Sequence, residues 1–149
     1  MSTPDQKNSP AQDNLNNVKS LTEVGGVFVL SSLPLLRDIS SLKTLKQVGD
    51  SFMVQYLDQL TDQTLASFSS LRSVGGDLSL ISLPNLVSLN GLSLLTGVQR
   101  VFIYDNQQLT NYTGLKNVIP TLPGANWQVS NNKYDPTYQD MIAGKYVAP

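Results

Sequence analysis

The chain has 149 residues and a net charge of -1, and its ten Lys and Arg are spread along its whole length. Without a basic cluster, it lacks the electrostatic footprint of a protein that binds nucleic acid or an anionic membrane. The absence of Cys and His excludes disulfides, thiolate nucleophiles, the commonest metal ligand and the commonest general base. The length suits one domain, and we expect neither a metal nor another cofactor.

The first residues of the chain differ in composition from the rest. Residues 1–14 are almost entirely Ser, Pro, Asp, Gln and Asn, which predicts a disordered polar leader. They contain no apolar core of a signal peptide, and no apolar run in the chain approaches the roughly 20 residues that a membrane span needs. We therefore expect no membrane insertion and a folded domain at residues 15–149.

A repeated pattern dominates this domain. The stretch at residues 71–95, LRSVGGDLSLISLPNLVSLNGLSLL, recurs in altered form on both sides of itself. Aligning the copies on one apolar position gives spacings of 24, 26, 23 and 26 residues for Leu30, Val54, Leu80, Ile103 and Val129. A period in this range is typical of a solenoid, in which each repeat buries its leucines only against its neighbours.

Two shorter periods lie within each repeat. Asp77-Leu78-Ser79-Leu80 alternates polar and apolar residues, as in a strand with one buried face. Between strands, apolar residues recur at steps of three, which would spiral around an α-helix but suit 3₁₀ turns or extended corners. The sequence therefore predicts a mainly β solenoid of about five coils, with one parallel sheet and short corner turns.

Turn residues flank each predicted strand. Gly25-Gly26, Gly49 and Gly75-Gly76 precede strands, where positive φ or close backbone approach is expected. Asp105-Asn106 and Asn131-Asn132 follow strands, and we expect their side chains to hydrogen-bond the turn backbone or each other from coil to coil.

The end of the chain predicts a short capping helix at residues 135–145. Asp135 and Pro136 suit an N-cap and a first helical position, and Gly144 suits the residue after the helix. Its apolar face, which includes Met141 and Ile142, would cover the leucines of the last coil.

The pattern V-x-G-x-L-x-[LI]-x-x-x-P-x-L-x-x-L-x-x-L, read from Val74 to Leu92, resembles the receptor L domain family. This leucine-rich, right-handed β-helix occurs in insulin and epidermal growth factor receptors and in fungal cell-wall proteins. The resemblance covers residues 15–135, although this chain lacks the cysteines of receptor ectodomains. It implies a non-catalytic module, extracellular or at the cell surface, that takes part in adhesion or binds a protein or glycan through its exposed sheet face.

The strand register predicts which residues line that face. If Leu78 and Leu80 point inward, the alternate positions of every strand point outward. We expect an exposed apolar and aromatic patch, a frequent mark of a contact site, formed by Val29, Met53, Ile81, Phe102 and Tyr104. The alternative is a slip of one residue around Val98, which would turn Val101 and Ile103 outward instead.

Four further residues carry expectations of their own. Asp77 and Arg100 would be neighbours on adjacent strands and would form an exposed ion pair. Asn111 begins the glycosylation sequon Asn-Tyr-Thr at a corner where it should be exposed. Trp127, the single tryptophan, is expected to plug the core of the last coil.

Other functional classes stay open. The repeats could form a spacer between other domains, or a carbohydrate-active β-helix enzyme. An enzyme would need paired acids, whereas Asp50, Asp77 and Asp105 take different offsets from their strands. An ice-binding face would need outward rows of Thr, which the sequence does not provide. As for assembly, we expect a monomer or a weak homodimer.

Overall fold

A computed structural model describes residues 15, 18 and 20–149, so the predicted leader at residues 1–14 lies outside the described residues. The described chain is mainly β, with eight strands: β1 (Glu23–Val24), β2 (Phe28–Ser31), β3 (Gln47–Val48), β4 (Phe52–Gln55), β5 (Ser73–Val74), β6 (Asp77–Ile81), β7 (Arg100–Tyr104) and β8 (Trp127–Ser130). The α-helices are α1 (Asp62–Leu65) and α2 (Tyr138–Ile142). Six 3₁₀ turns lie at Ser40–Leu42, Ala66–Phe68, Asn90–Leu92, Thr113–Leu115, Ile119–Thr121 and Gly124–Asn126.

The strands form two parallel sheets and not the single sheet that we predicted. The larger sheet has the order β2-β4-β6-β7-β8, and the smaller has the order β1-β3-β5. The smaller sheet arises because the residues just before Gly25, Gly49 and Gly75 pair with one another, as Val24, Val48 and Val74 show. Each of the first three repeats therefore places two short extended segments beside those of its neighbours.

The register of the large sheet agrees with the sequence alignment. Leu30 pairs with Val54, Val54 with Leu80, Leu80 with Ile103 and Ile103 with Val129. Val101 and Ile103 are fully buried, which excludes the one-residue slip around Val98. All inward positions of the large sheet except Val129, which is partly buried, belong to one continuous cluster of buried hydrophobic residues.

The corners between strands are 3₁₀ turns, as the three-residue spacing predicted. Leu42, Leu92 and Leu115 are the inward residues of their turns, and each is buried. The exception is α1, a single α-helical turn whose N-cap, Thr61, accepts a hydrogen bond from the Thr64 backbone N–H. A helical turn was not predicted here.

Glycines and positive φ angles occupy different places in the repeat. A Cβ at Gly49 or Gly75 would overlap the carbonyl oxygen of the glycine one repeat earlier, so these glycines permit the close backbone approach that we expected. They do not have positive φ. In the large sheet, the left-handed conformation lies instead two residues after the last inward position of each strand, at Ser32, Tyr56, Ser82, Asp105 and Asn131, with φ between 52° and 61°. Ser20, before the first strand, also has a positive φ, of 60°.

The C-terminal helix begins later than predicted. Its N-cap is Thr137 and not Asp135, because Thr137 and Asp140 form a capping box while Asp135 binds Asn132. Gly144, with a φ of 77°, follows the helix as expected. Met141 is fully buried and covers apolar residues of the preceding turns, as predicted. Ile142 does not share this role, because it is 56% exposed.

Trp127 lies in the core, as predicted. Its side chain is buried, and its indole Nε1–H donates to the Pro136 carbonyl oxygen at 2.8 Å. The ring packs near Tyr112, with ring centroids 6.2 Å apart. The tryptophan therefore ties the last strand to the segment that leads into α2.

Candidate functional site

The candidate site is the outward face of the five-stranded sheet, which we call the sheet face. Its residues alternate with the buried positions of β2, β4, β6, β7 and β8 or immediately precede these strands. They form three rows: Val27, Ser51, Asp77, Arg100 and Asn126; Val29, Met53, Ser79, Phe102 and Gln128; and Ser31, Gln55, Ile81, Tyr104 and Ser130.

The structure brings the predicted patch residues together. By register, Val29 lies beside Met53, while Met53 and Phe102 flank Ser79 on its two neighbouring strands. Val29 is exposed, and Met53, Ile81, Phe102 and Tyr104 are each half-buried. The predicted patch therefore occupies adjacent strands but is less exposed than we predicted. Part of the reason is that the Phe102 and Tyr104 rings lie close to each other, and Tyr104 also binds Gln128.

Ser79 lies at the centre of this patch and is only 3% exposed although it faces outward. Its hydroxyl oxygen accepts a hydrogen bond from the Gln55 side-chain amide, Nε2 to Oγ 2.8 Å. Small size at this position lets the larger side chains around it close over the strand. The sequence indicated the outward direction of Ser79 but not its burial.

The predicted ion pair is present at one edge of the patch. Arg100 Nε and Nη2 donate to the two carboxylate oxygens of Asp77 at 2.9 and 2.8 Å. These hydrogen bonds, together with the charge of Asp77, raise the pKa of Arg100 above its ordinary value. The guanidinium carbon also lies 5.4 Å from the centroid of the Phe102 ring, which places the cation over the aromatic face.

Two glutamines, which the prediction of site residues did not include, hold the patch in place. Gln55 binds Ser79, and the Gln128 Oε1 accepts from the Tyr104 hydroxyl at 2.9 Å. The Tyr104 and Phe102 rings are tilted against each other with centroids 6.3 Å apart. The alternation pattern placed both glutamines at outward positions, but it did not indicate their hydrogen bonds.

The predicted glycosylation site is less accessible than expected. Asn111 is half-buried, and its Oδ1 accepts from the Thr113 backbone N–H at 2.9 Å. Its backbone bridges Ser88 on one side and Val147 on the other. The expectation of an exposed corner is wrong because the segment after α2 returns to pair with this corner.

Two surface grooves lie outside the sheet face. One, of about 330 Å³, runs between corners of the first two repeats and is lined by Arg37, Asp38, Ile39, Ser40, Gln63, Thr64 and Ser67. Hydrogen bonds from Ser40 hold the pKa of Asp38 below its usual range, so the Asp38 carboxylate stabilises this turn. The other, of about 340 Å³, lies beside α2 and is lined mainly by apolar side chains.

The acids considered for catalysis each bind a different side chain. Asp50 accepts from the Ser51 hydroxyl, Asp77 binds Arg100, and Asp105 accepts from the Asn131 amide. Within residues 20–149 and the two described residues before them, no three acids converge to form a metal site. The helices of this described part are too short or too polar to cross a membrane.

Comparisons with protein-family models, with curated proteins and with solved structures find no match for this chain.

Proposed function

We propose that the chain is a leucine-rich, right-handed parallel β-helical solenoid of about five coils, similar to a receptor L domain, that binds a protein or a glycan through the sheet face. The parallel order and the regular register of five strands support this architecture. The right hand follows from the general rule that about 98% of parallel crossovers are right-handed.

The observation that carries the binding proposal is the composition of the sheet face. Its fifteen positions hold Met, Ile, Phe, Tyr and Arg but neither Lys nor Glu, although the chain has twelve other charged residues from Lys43 onward that lie elsewhere. The single Asp and the single Arg neutralise each other. Protein interfaces are enriched in aromatic residues, Met and Arg and depleted in Lys and Glu, so a protein ligand is favoured over a glycan.

The order within the face also supports binding. Hydrogen bonds hold the side chains of Gln55, Arg100 and Tyr104 in the free protein. Groups that are already ordered lose less conformational entropy when a ligand binds. A catalytic role has less support, because Asp50, Asp77 and Asp105 each bind a different neighbouring side chain, whereas general acid and base catalysis requires two groups that converge on one point.

The test is a binding screen of the purified chain against arrays of cell-surface protein ectodomains and glycans. For any ligand found, we expect Phe102→Ala and Tyr104→Ala to weaken binding at least tenfold, about 1.4 kcal/mol. Both side chains are half-buried and neither lies in the core, so the melting temperature should change little.

Leu94→Ala is the matched control, because Leu94 is a large apolar residue exposed in a corner away from the sheet face. It should leave both affinity and melting temperature unchanged. If the two aromatic variants bind as tightly as the wild type, the ligand does not use the sheet face. If the two aromatic substitutions lower the melting temperature by several degrees, Phe102 and Tyr104 stabilise the fold and are not primarily binding residues.

A further inference from the structure

Asn90 and Gly91 form the one Asn-Gly pair of the sequence, and they lie in the corner that follows β6. The Asn90 side chain is exposed. Every other asparagine of residues 20–149 uses its side-chain amide in a hydrogen bond, whereas that of Asn90 has no hydrogen bond to a described residue. The amide of Asn90 is therefore free to react.

An asparagine that precedes glycine is prone to spontaneous deamidation, because glycine has no side chain to hinder ring closure. The backbone nitrogen of Gly91 loses its proton and bonds to Cγ of Asn90, and the side-chain nitrogen leaves as ammonia. Water then opens the resulting succinimide at either carbonyl. One product is aspartate, and the other is isoaspartate, in which the main chain runs through the former side chain and is one carbon longer.

The folded corner holds Asn90 in a conformation that does not permit this ring. Ring closure requires the Gly91 nitrogen and the Asn90 Cβ to be nearly eclipsed about the Asn90 Cα–C bond, but Asn90 begins a 3₁₀ turn, whose ψ keeps them apart. The Asn90 N–H donates to Ser88 Oγ at 3.1 Å, and the Ser93 N–H donates to the Asn90 carbonyl oxygen at 3.2 Å. The reaction therefore requires the corner to open.

The longer backbone of isoaspartate would not fit between the neighbouring repeats. A Cβ at Gly91 would lie 2.6 Å from the Leu65 carbonyl oxygen, so the main chain already touches the preceding repeat. On the other side, a Cβ at Gly114 would overlap the carbonyl oxygen of Leu89, the residue before Asn90. One extra backbone carbon finds no free space in either direction, and closely packed structures accept added atoms only with strain.

We propose that Asn90 is a site of spontaneous deamidation that reacts when this corner opens, and that isoaspartate then keeps the corner from closing again. The modification converts a transient opening into a permanent loss of stacking between the repeats on both sides. It needs no enzyme, because the attacking nitrogen and the leaving group belong to the chain and the solvent supplies water. The proposal is independent of any ligand of the sheet face.

Peptide mass spectrometry tests the site, with the full chain kept at one mildly alkaline pH either folded in buffer or unfolded in guanidinium chloride. We expect Asn90 to react first in the unfolded chain, and more slowly by about tenfold or more in the folded chain. Asn117 is the internal control, because it is exposed but precedes Val118, whose branched side chain hinders the ring. Equal rates at Asn90 in the two states overturn the proposal, as does a faster reaction at Asn117 in the unfolded chain.

Urea unfolding tests the effect of the modification. After the same incubation in the unfolded state, the refolded wild type should unfold at a lower urea concentration than before. Asn90→Gln should keep its midpoint, because glutamine would have to close a larger ring. A treated wild type as stable as treated Asn90→Gln overturns the proposal.

Asn90→Asp separates the effect of isoaspartate from that of the new charge. This variant carries the other product of the reaction in an exposed side chain, so its midpoint should equal that of the untreated wild type. If Asn90→Asp is destabilised as much as the treated wild type, the charge and not the longer backbone is responsible, and the proposal is overturned.

Discussion

At the scale of the residue, Asn106 shows how the turns after the strands are held. Its side chain has no exposed surface. Oδ1 accepts from the Leu83 backbone N–H at 3.0 Å, and Nδ2 donates to the Leu80 carbonyl oxygen at 3.1 Å and to Asn132 Oδ1 at 2.8 Å. One amide therefore satisfies buried backbone groups of the previous repeat and joins them to the next.

We expect Asn106→Leu to lower the free energy of unfolding by about 2–4 kcal/mol, because it leaves more than one buried polar group without a partner. Leucine makes this a stringent test, because the fold accepts a buried leucine at the same position of two earlier repeats, Leu57 and Leu83. A loss of stability would therefore come from the missing hydrogen bonds. Urea unfolding followed by circular dichroism measures the change.

Asn117→Ala is the control for this substitution. Asn117 is exposed and donates one hydrogen bond to the Ser93 carbonyl oxygen at 2.9 Å. Its loss should cost no more than about 0.5 kcal/mol. Equal losses for the two variants would show that the buried amide has no special role.

At the scale of the element, α2 depends on a charged carboxylate at its N-terminus. Asp140 Oδ2 accepts from the Thr137 backbone N–H at 3.0 Å and from the Thr137 hydroxyl at 2.7 Å. These bonds, and the nearby Lys145, hold the pKa of Asp140 below its ordinary value of 3.8. The hydrogen bonds of the capping box therefore favour the ionised form of Asp140.

We predict that α2 loosens in acid before the rest of the fold. Because the folded pKa of Asp140 is lowered, its contribution to stability is complete above about pH 4 and is lost as pH falls through the lower folded value. The protection factors of the amides in α2, which are the intrinsic exchange rates at each pH divided by the observed rates, should therefore fall below pH 4.

Asp140→Asn should remove most of this pH dependence, because the variant keeps an acceptor for Thr137 but no longer titrates. The 3₁₀ turn at Asn90–Leu92 provides an internal comparison, since its first and last turns contain no acidic or basic residue. Protection factors in α2 that stay constant from pH 6 to pH 3 would contradict the prediction.

At the scale of the whole molecule, one apolar core runs from the first repeat to the cap. Three phenylalanines meet near its beginning, with the Phe28 and Phe52 rings stacked at 5.1 Å and Phe68 set edgewise at 4.8 Å from Phe52. Tyr112 and Trp127 close its other end, and no break separates the two groups. Each repeat is therefore stabilised mainly by the repeats beside it.

We expect the domain to unfold in one cooperative step despite its repeats, because its core is continuous and its length is below the usual limit for two-state behaviour. Fluorescence of Trp127 reports the last repeat alone, whereas far-ultraviolet circular dichroism reports every strand. The two signals should give the same urea midpoint. An earlier fluorescence midpoint would show that the C-terminal repeat and α2 separate first.

The sequence by itself determined the strands of the large sheet, their register and the direction of their side chains. These depend on local periods of two and three residues and on the spacing between copies, all of which can be read along the chain. The sheet-face residues Met53, Phe102 and Tyr104 followed from that register, as did the inward position of Trp127 and the pairing of Asp77 with Arg100.

Features that depend on contacts between segments distant in sequence were decided only by the tertiary structure. The C-terminal segment pairs with Asn111 and covers a corner that looks exposed in the sequence, and Gln55 from the neighbouring strand helps to bury Ser79. Asp135 binds Asn132, which leaves Thr137 to cap α2. The division into two sheets has the same origin, because short pairs such as Val24 and Val48 become strands only when neighbouring repeats are stacked.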